Sequence, residues 1–204
     1  MTYIQGIGLI NTQKSIQSLA NQGRGKAGHA RRKVFISYHR SDEEQVRKFV
    51  ESFRDYYQFK CVGISDDHQF VDSNNDEYIK RRIREDYLAD TTVTILMVGK
   101  CTWSRSFVDW EISATLRNDE MNKRSGLVGI ALPELNGQWI LPPRAKDNWN
   151  RDQPNESYLI GINYPRSVSA LVDAVDKAIS KRDNRADLVD NRRPLQRINQ
   201  ICKS

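Results

Sequence analysis

The sequence predicts an α/β protein built on one open sheet of five parallel strands with helices on both faces. Three observations predict it. Short apolar runs alternate with segments of helical spacing along the chain. One run, Thr92-Val-Thr-Ile-Leu-Met-Val-Gly99, is almost unbroken, as a central parallel strand covered on both faces requires. The 204 residues are enough for one such domain with a core of its own plus tails, and no internal repeat is visible.

In chain order, Lys33–Tyr38 is short and apolar enough for a first buried strand. A helix follows from about Asp42, with Ser41 and Glu44 as a capping box and Val46, Phe49, Val50, Phe53 and Tyr57 at helical spacing. Lys60–Ile64 reads as the second strand, and Ile79, Ile83 and Tyr87 mark a helix before the third strand at Thr92–Gly99. Ser106 then caps a helix with Asp109 three residues on, which places Phe107 and Glu111 one turn apart on the same face. Gly126–Leu132 reads as a fourth strand, Tyr158–Tyr164 as a fifth, and a closing helix runs from Ser167 through Leu171, Val172, Val175 and Ile179. Right-handed crossovers between these strands give a flavodoxin-like order, with the first and third strands adjacent and a crevice beyond their C-terminal ends. Ser37, Tyr38, His39 and Arg40 would line that crevice after the first strand, and Lys100, Trp103 and Arg105 after the third, beside Phe107 and Glu111.

Composition narrows the functional classes. The net charge of +6 is carried entirely by residues 1–33, which hold six bases and no acid, and the segment from Lys181 onward adds seven bases against three acids. The intervening region is net negative, so a nucleic-acid-reading face on the folded domain is not expected. The basic tails read as solubilising or disordered segments, with nonspecific phosphate contact as the alternative. Cys61, Cys101 and Cys202 are odd in number and scattered, which points to reduced thiols and to neither a disulfide framework nor a zinc site. His29 and His68 have no neighbours that suggest ligation, and Asp66-Asp67 reads as a polar loop. With no apolar stretch long enough to span a membrane and no secretory signal, a cytoplasmic protein is expected. Residues 1–30 form a basic extension ending in the Gly-rich linker Gly23–His29, residues 31–184 the folded domain, and residues 185–204 a basic tail. Pro133–Ser157 is a long insertion with Trp139, Trp149 and four prolines, either a lid or contact surface or a passive loop.

Two segments resemble a known family. Val34-Phe-Ile-Ser-Tyr-His-Arg-Ser-Asp42 is similar to the first box of Toll/interleukin-1 receptor (TIR) domains, and Trp103-Ser-Arg-Ser-Phe-Val-Asp-Trp-Glu-Ile112 to the segment bearing the glutamate of NAD-cleaving TIR enzymes. The likeness is closest to the TIR-like ThsB proteins of Thoeris antiphage defence. It implies an enzyme that cleaves NAD at the nicotinamide-ribose bond and makes an ADP-ribose-derived signal, cyclic in the expected case, for a separate effector. NAD would be the substrate, with no tightly bound cofactor and no metal. Self-association and a phage-derived trigger are implied as well. On the matching positions, Glu111 stands for the catalytic glutamate and Phe107 for an aromatic that is usually Trp. Tyr38, His39 and Arg40 stand where an aromatic precedes basic residues, with His39 replacing the first base.

One carboxylate is enough for the bond-breaking step. Cleavage builds positive charge on the ribose, but the pyridinium leaving group needs no proton. Glu111 would stabilise that charge, Tyr38 or Phe107 would support a ring, and His39, Arg40, Lys100 or Arg105 would meet the diphosphate. Trp103 and Trp110 have packing between helix and sheet as their simpler reading. Arg40 and Arg105 have pairing with Asp42 or Asp109 as theirs. The rival functions are a TIR-type scaffold acting by assembly alone and a nucleoside deoxyribosyltransferase-like enzyme, which also sets a glutamate against an N-glycosidic bond. A receiver would need an aspartate where Gly99-Lys100 stands, and the acidic start of the first helix disfavours a flavodoxin phosphate loop.

Overall fold

The computed structural model describes residues 31–61, 78, 81, 83, 85, 88–118 and 123–202. Its strands are β1 (Arg32–Ser37), β2 (Tyr57–Cys61), β3 (Val93–Val98), β4 (Gly126–Ala131) and β5 (Ile160–Asn163). They form one parallel sheet in the order β2-β1-β3-β4-β5. The helices are α1 (Glu43–Phe53), α2 (Ser106–Leu116), the short α3 (Pro143–Asp147) and α4 (Val168–Asn184). This is the predicted α/β architecture, with β1 and β3 adjacent.

The sheet is covered on both faces because its strands are apolar on both. Val34 and Ile36 of β1, Val93, Ile95 and Met97 of β3, and Val128 and Ile130 of β4 pack under α1 and α4. The alternate residues Leu96, Val98 and Leu127 pack under α2 and α3, and Phe35 meets Trp110, Ala114 and the helical residue Ile83 on that same side. Ile79 and Tyr87 of the predicted third helix lie outside the described residues, as do His29, His68 and Asp66-Asp67.

Several local expectations fail for identifiable reasons. The first helix ends at Phe53, and Tyr57 opens β2: Tyr57, Phe59 and Cys61 alternate onto one core face, so period two wins over helical spacing. The predicted strand at Lys60–Ile64 is therefore displaced toward the N-terminus, with residues 62–64 outside the described set. Neither capping box forms. Ser41 sits in a 3-10 turn at Arg40–Asp42, where His39 accepts from the Ser41 amide, and α1 begins only at Glu43. Ser106 is the first residue of α2, not its cap, and Asp109 is taken by a stronger partner, Arg144. Ser167 does cap α4, accepting from the Ala170 amide.

The cysteine expectation is overturned. Cys101 and Cys202 form a disulfide across 101 residues of sequence, and Cys61 stands outside it. Scattered spacing failed as a guide because the partner lies on a segment that the sequence leaves as a solvated tail. The chain after α4 is instead a packed strap. The indole N–H of Trp110 donates to the Gln196 carbonyl at 2.8 Å, the Gln196 amide to Asp109 at 2.9 Å, and the Ser106 amide to Asn199 at 2.9 Å. The Pro133–Ser157 insertion is likewise packed: Leu135, Ala145, Trp139 and Trp149 join the core beneath α2.

Candidate functional site

β1 ends at Ser37 on the α2 side of the sheet, and there its hydroxyl donates to Glu111 Oε2 at 2.6 Å. Both residues are buried, Glu111 being 3% exposed. That hydrogen bond fixes the direction of the buried carboxyl group. Phe107 lies one turn earlier on α2, half-buried, with its ring 6.0 Å from that of Trp110. Trp110 itself is core, as its packing reading had it.

Beyond β1 the chain gathers cations. Arg105 and Arg40 both lower the basicity of His39, after burial as the larger cause, and together these push its imidazole down to about 4. His39 is therefore neutral at pH 7, with Nδ1 accepting from the Ser41 amide. Arg105 Nε is buried and has no hydrogen-bond partner among the described residues. Neither arginine takes the pairing that would have explained it away. Asp109 is bound by Arg144, and Asp42 by the hydroxyls of Ser41 and Thr102. His39, Arg40 and Arg105 thus form one electropositive corner.

Beyond β1 and β3, Asp42, 4% exposed, lies so close to Gly99 that an added Cβ there would stand 2.2 Å from Asp42 Oδ2. Glycine is required by that approach. Burial, with the charge of Glu134 adding to it, pushes the Asp42 carboxyl up to about 6 against the hydrogen bonds from Ser41 and Thr102. Glu134 accepts from the Lys100 amide at 3.2 Å, which turns that residue's backbone toward the insertion, and the Lys100 side chain is exposed. Trp103 sits half-buried in the 3-10 turn Thr102–Ser104.

On the other side of β1, Cys61 pairs in register with Ile36, the residue before Ser37. Burial, followed by the charges of Glu111 and Glu43, pushes its thiol up to about 12. Glu43 itself, at the start of α1, is 6% exposed, and its Oε1 has no hydrogen-bond partner among the described residues. Sequence reasoning passed over Glu43, because adjacent acids in the first turn of a helix are ordinary capping-end composition.

The structure thus brings Ser37 together with Glu111, and His39 with Arg40 and Arg105, while Tyr38 is half-buried against the α1-side core. No group of three or more metal-ligating side chains occurs among the described residues. None of the described helices is long and apolar enough to cross a membrane. No curated protein matches the chain. The family described as Thoeris protein ThsB, TIR-like domain, matches residues 35–137, about half of the chain, from within β1 through α2 and β4. With the parallel sheet order, the second box and all of the first but Val34 inside that span, the chain belongs to the TIR-like domain family of the Thoeris antiphage-defence protein ThsB.

Proposed function

We propose that this protein cleaves the nicotinamide-ribose bond of NAD and releases an ADP-ribose-derived signal for a separate effector. The observation that carries the reading is the buried Glu111 carboxylate, held by Ser37 at the end of β1 near a cationic corner with an unpartnered arginine nitrogen. A fixed anion in a low-dielectric site stabilises a ribose cation more than a solvated one can, because it does not reorganise as charge develops. His39 stays neutral and leaves Arg40 and Arg105 to meet a diphosphate, which a guanidinium can bind with two parallel hydrogen bonds.

The test is nicotinamide release from NAD by the purified full chain, with and without filtrate from phage-infected cells, alongside Glu111→Gln. The amide keeps the shape and loses the charge, so turnover is expected to fall at least about a hundredfold. Equal release by the two proteins rejects the role of Glu111. Cleavage of deoxynucleosides but not NAD points to the transferase class instead.

A further inference from the structure

We propose that the Cys101–Cys202 disulfide is a thiol-exchange site, through which a dithiol reductant weakens the hold of Arg105 on the diphosphate of the substrate. The proposal rests on the diphosphate role given to Arg105 in the NAD-cleavage reading above. Arg105 stands between two residues that the C-terminal strap holds. The Ser104 carbonyl accepts from Gln196 Nε2 at 2.9 Å and from the Gln200 amide at 2.8 Å. The Ser106 amide and hydroxyl donate to Asn199 Oδ1 at 2.9 and 3.1 Å. Arg105 itself keeps its buried Nε without a hydrogen-bond partner among the described residues. The strap thus sets the backbone on both sides of a guanidinium with an unused donor.

The two halves of this loop are anchored differently. Its start is fixed to the sheet, where the Thr102 hydroxyl accepts from the Gly99 amide at 2.8 Å. From Ser104 to Ser106 the anchors belong to the strap. The strap is held firmly at Gln196, whose amide donates to Asp109 and whose carbonyl accepts from Trp110. Beyond that point little apolar surface holds it, for Ile198 and Ile201 are 78% and 87% exposed. The placing of Asn199 and Gln200 therefore rests on solvent-facing hydrogen bonds and on the tie of Cys202 to Cys101, and segments of that kind are the first to open.

The exchange balances with a dithiol. Cys101 is 6% exposed and Cys202 only half-buried, so an incoming thiolate attacks Cys202 Sγ. A new S–S bond joins the reagent to Cys202, and the electron pair of the broken bond leaves on Cys101 Sγ. The reagent's second thiolate then attacks the reagent's own sulfur in that mixed disulfide, closes a disulfide within the reagent and expels Cys202. Each protein sulfur takes up a proton, so the protein gains the two electrons and two protons that the dithiol loses. The end of the strap is then free to fray, and Ser104 and Ser106 lose the partners that fix Arg105 between them.

The test measures ADP-ribose affinity by calorimetry, which needs no turnover, on the purified full chain in its oxidised form and in dithiothreitol. Reduction is expected to weaken binding about tenfold. Cys202→Ser should bind as the reduced parent does under both conditions. Because the effect passes through Arg105, Arg105→Ala should respond to reduction by less than about twofold, which a general loosening of the fold would not produce. NAD turnover under the same two conditions, with the phage filtrate where required, should show KM rising while kcat stays nearly constant, since a diphosphate contact is alike before and during bond breaking. Equal or tighter binding by the reduced parent, or an undiminished response in Arg105→Ala, overturns the switch and leaves NAD cleavage standing. An oxidised parent that binds no ADP-ribose also overturns it, and one that releases no nicotinamide either removes the reading beneath it.

Discussion

Ser37 decides how Glu111 is held, so removing one hydroxyl has a consequence for both stability and turnover. Ser37→Ala leaves a buried carboxylate short of a 2.6 Å donor, which should cost about 1.5–3 kcal/mol in urea unfolding at pH 7 and lower NAD turnover about tenfold or more. A variant with parent stability would show that Glu111 does not depend on this bond. His39 and Asp42 carry opposite pH dependences. Asp42 titrates near 6 when folded against 3.8 ordinarily, so the folded state holds its extra proton between those values and this group's contribution declines as pH rises through them. His39 titrates near 4 against 6.5, so its contribution is complete above 6.5 and is lost as pH falls toward 4. The two slopes oppose over nearly the same window. Asp42→Asn should therefore make stability fall more steeply on acidification from pH 6.5 to 4, and His39→Gln should do the reverse; denaturant midpoints that leave the parent slope unchanged in both variants would contradict this.

At the scale of elements, α2 is buried from Val108 to Leu116, and its polar residues survive there because each has a partner. Asp109 binds Arg144, Glu111 binds Ser37, Ser113 donates to Asn191 and Thr115 meets Thr94. Arg144 is fully buried and ties three segments together: it holds both oxygens of Asp109 and donates to Asn191 Oδ1 and the Pro194 carbonyl. Arg144→Met strands the Asp109 charge and should cost about 3–5 kcal/mol by equilibrium unfolding. Arg144→Lys should rescue little, since one ammonium cannot reproduce the fork. The strap's far end is fixed by Cys101–Cys202, whose loop encloses α2, β4, α3, β5 and α4. Cys202→Ser should lower stability by about 2–4 kcal/mol and expose the strap to proteolysis; unchanged cleavage kinetics would mean that the hydrogen bonds alone hold it.

At the scale of the whole molecule, charge and connectivity are unevenly shared. Residues 1–33 hold the entire +6, while the region between them and Lys181 is net negative. We propose that the extension joins copies of the protein through this complementarity. Deleting residues 1–30 should reduce particle mass in light scattering and reduce triggered NAD cleavage, and a truncated protein unchanged in both would exclude it.

The sequence by itself determined the sheet, its order and the place of Glu111, because buried parallel strands and helical spacing are local patterns written in consecutive residues. The same locality made both boxes of the family visible. Only the tertiary structure decided that Asp42 packs against Gly99 under the Thr102 hydroxyl, and that the tail is a strap under a disulfide. Those outcomes depend on which partner a polar group finds across 60 to 100 residues of sequence. Local spacing cannot rank such partners: the capping role of Asp109 lost to Arg144 because a buried guanidinium offers more donors than one backbone amide.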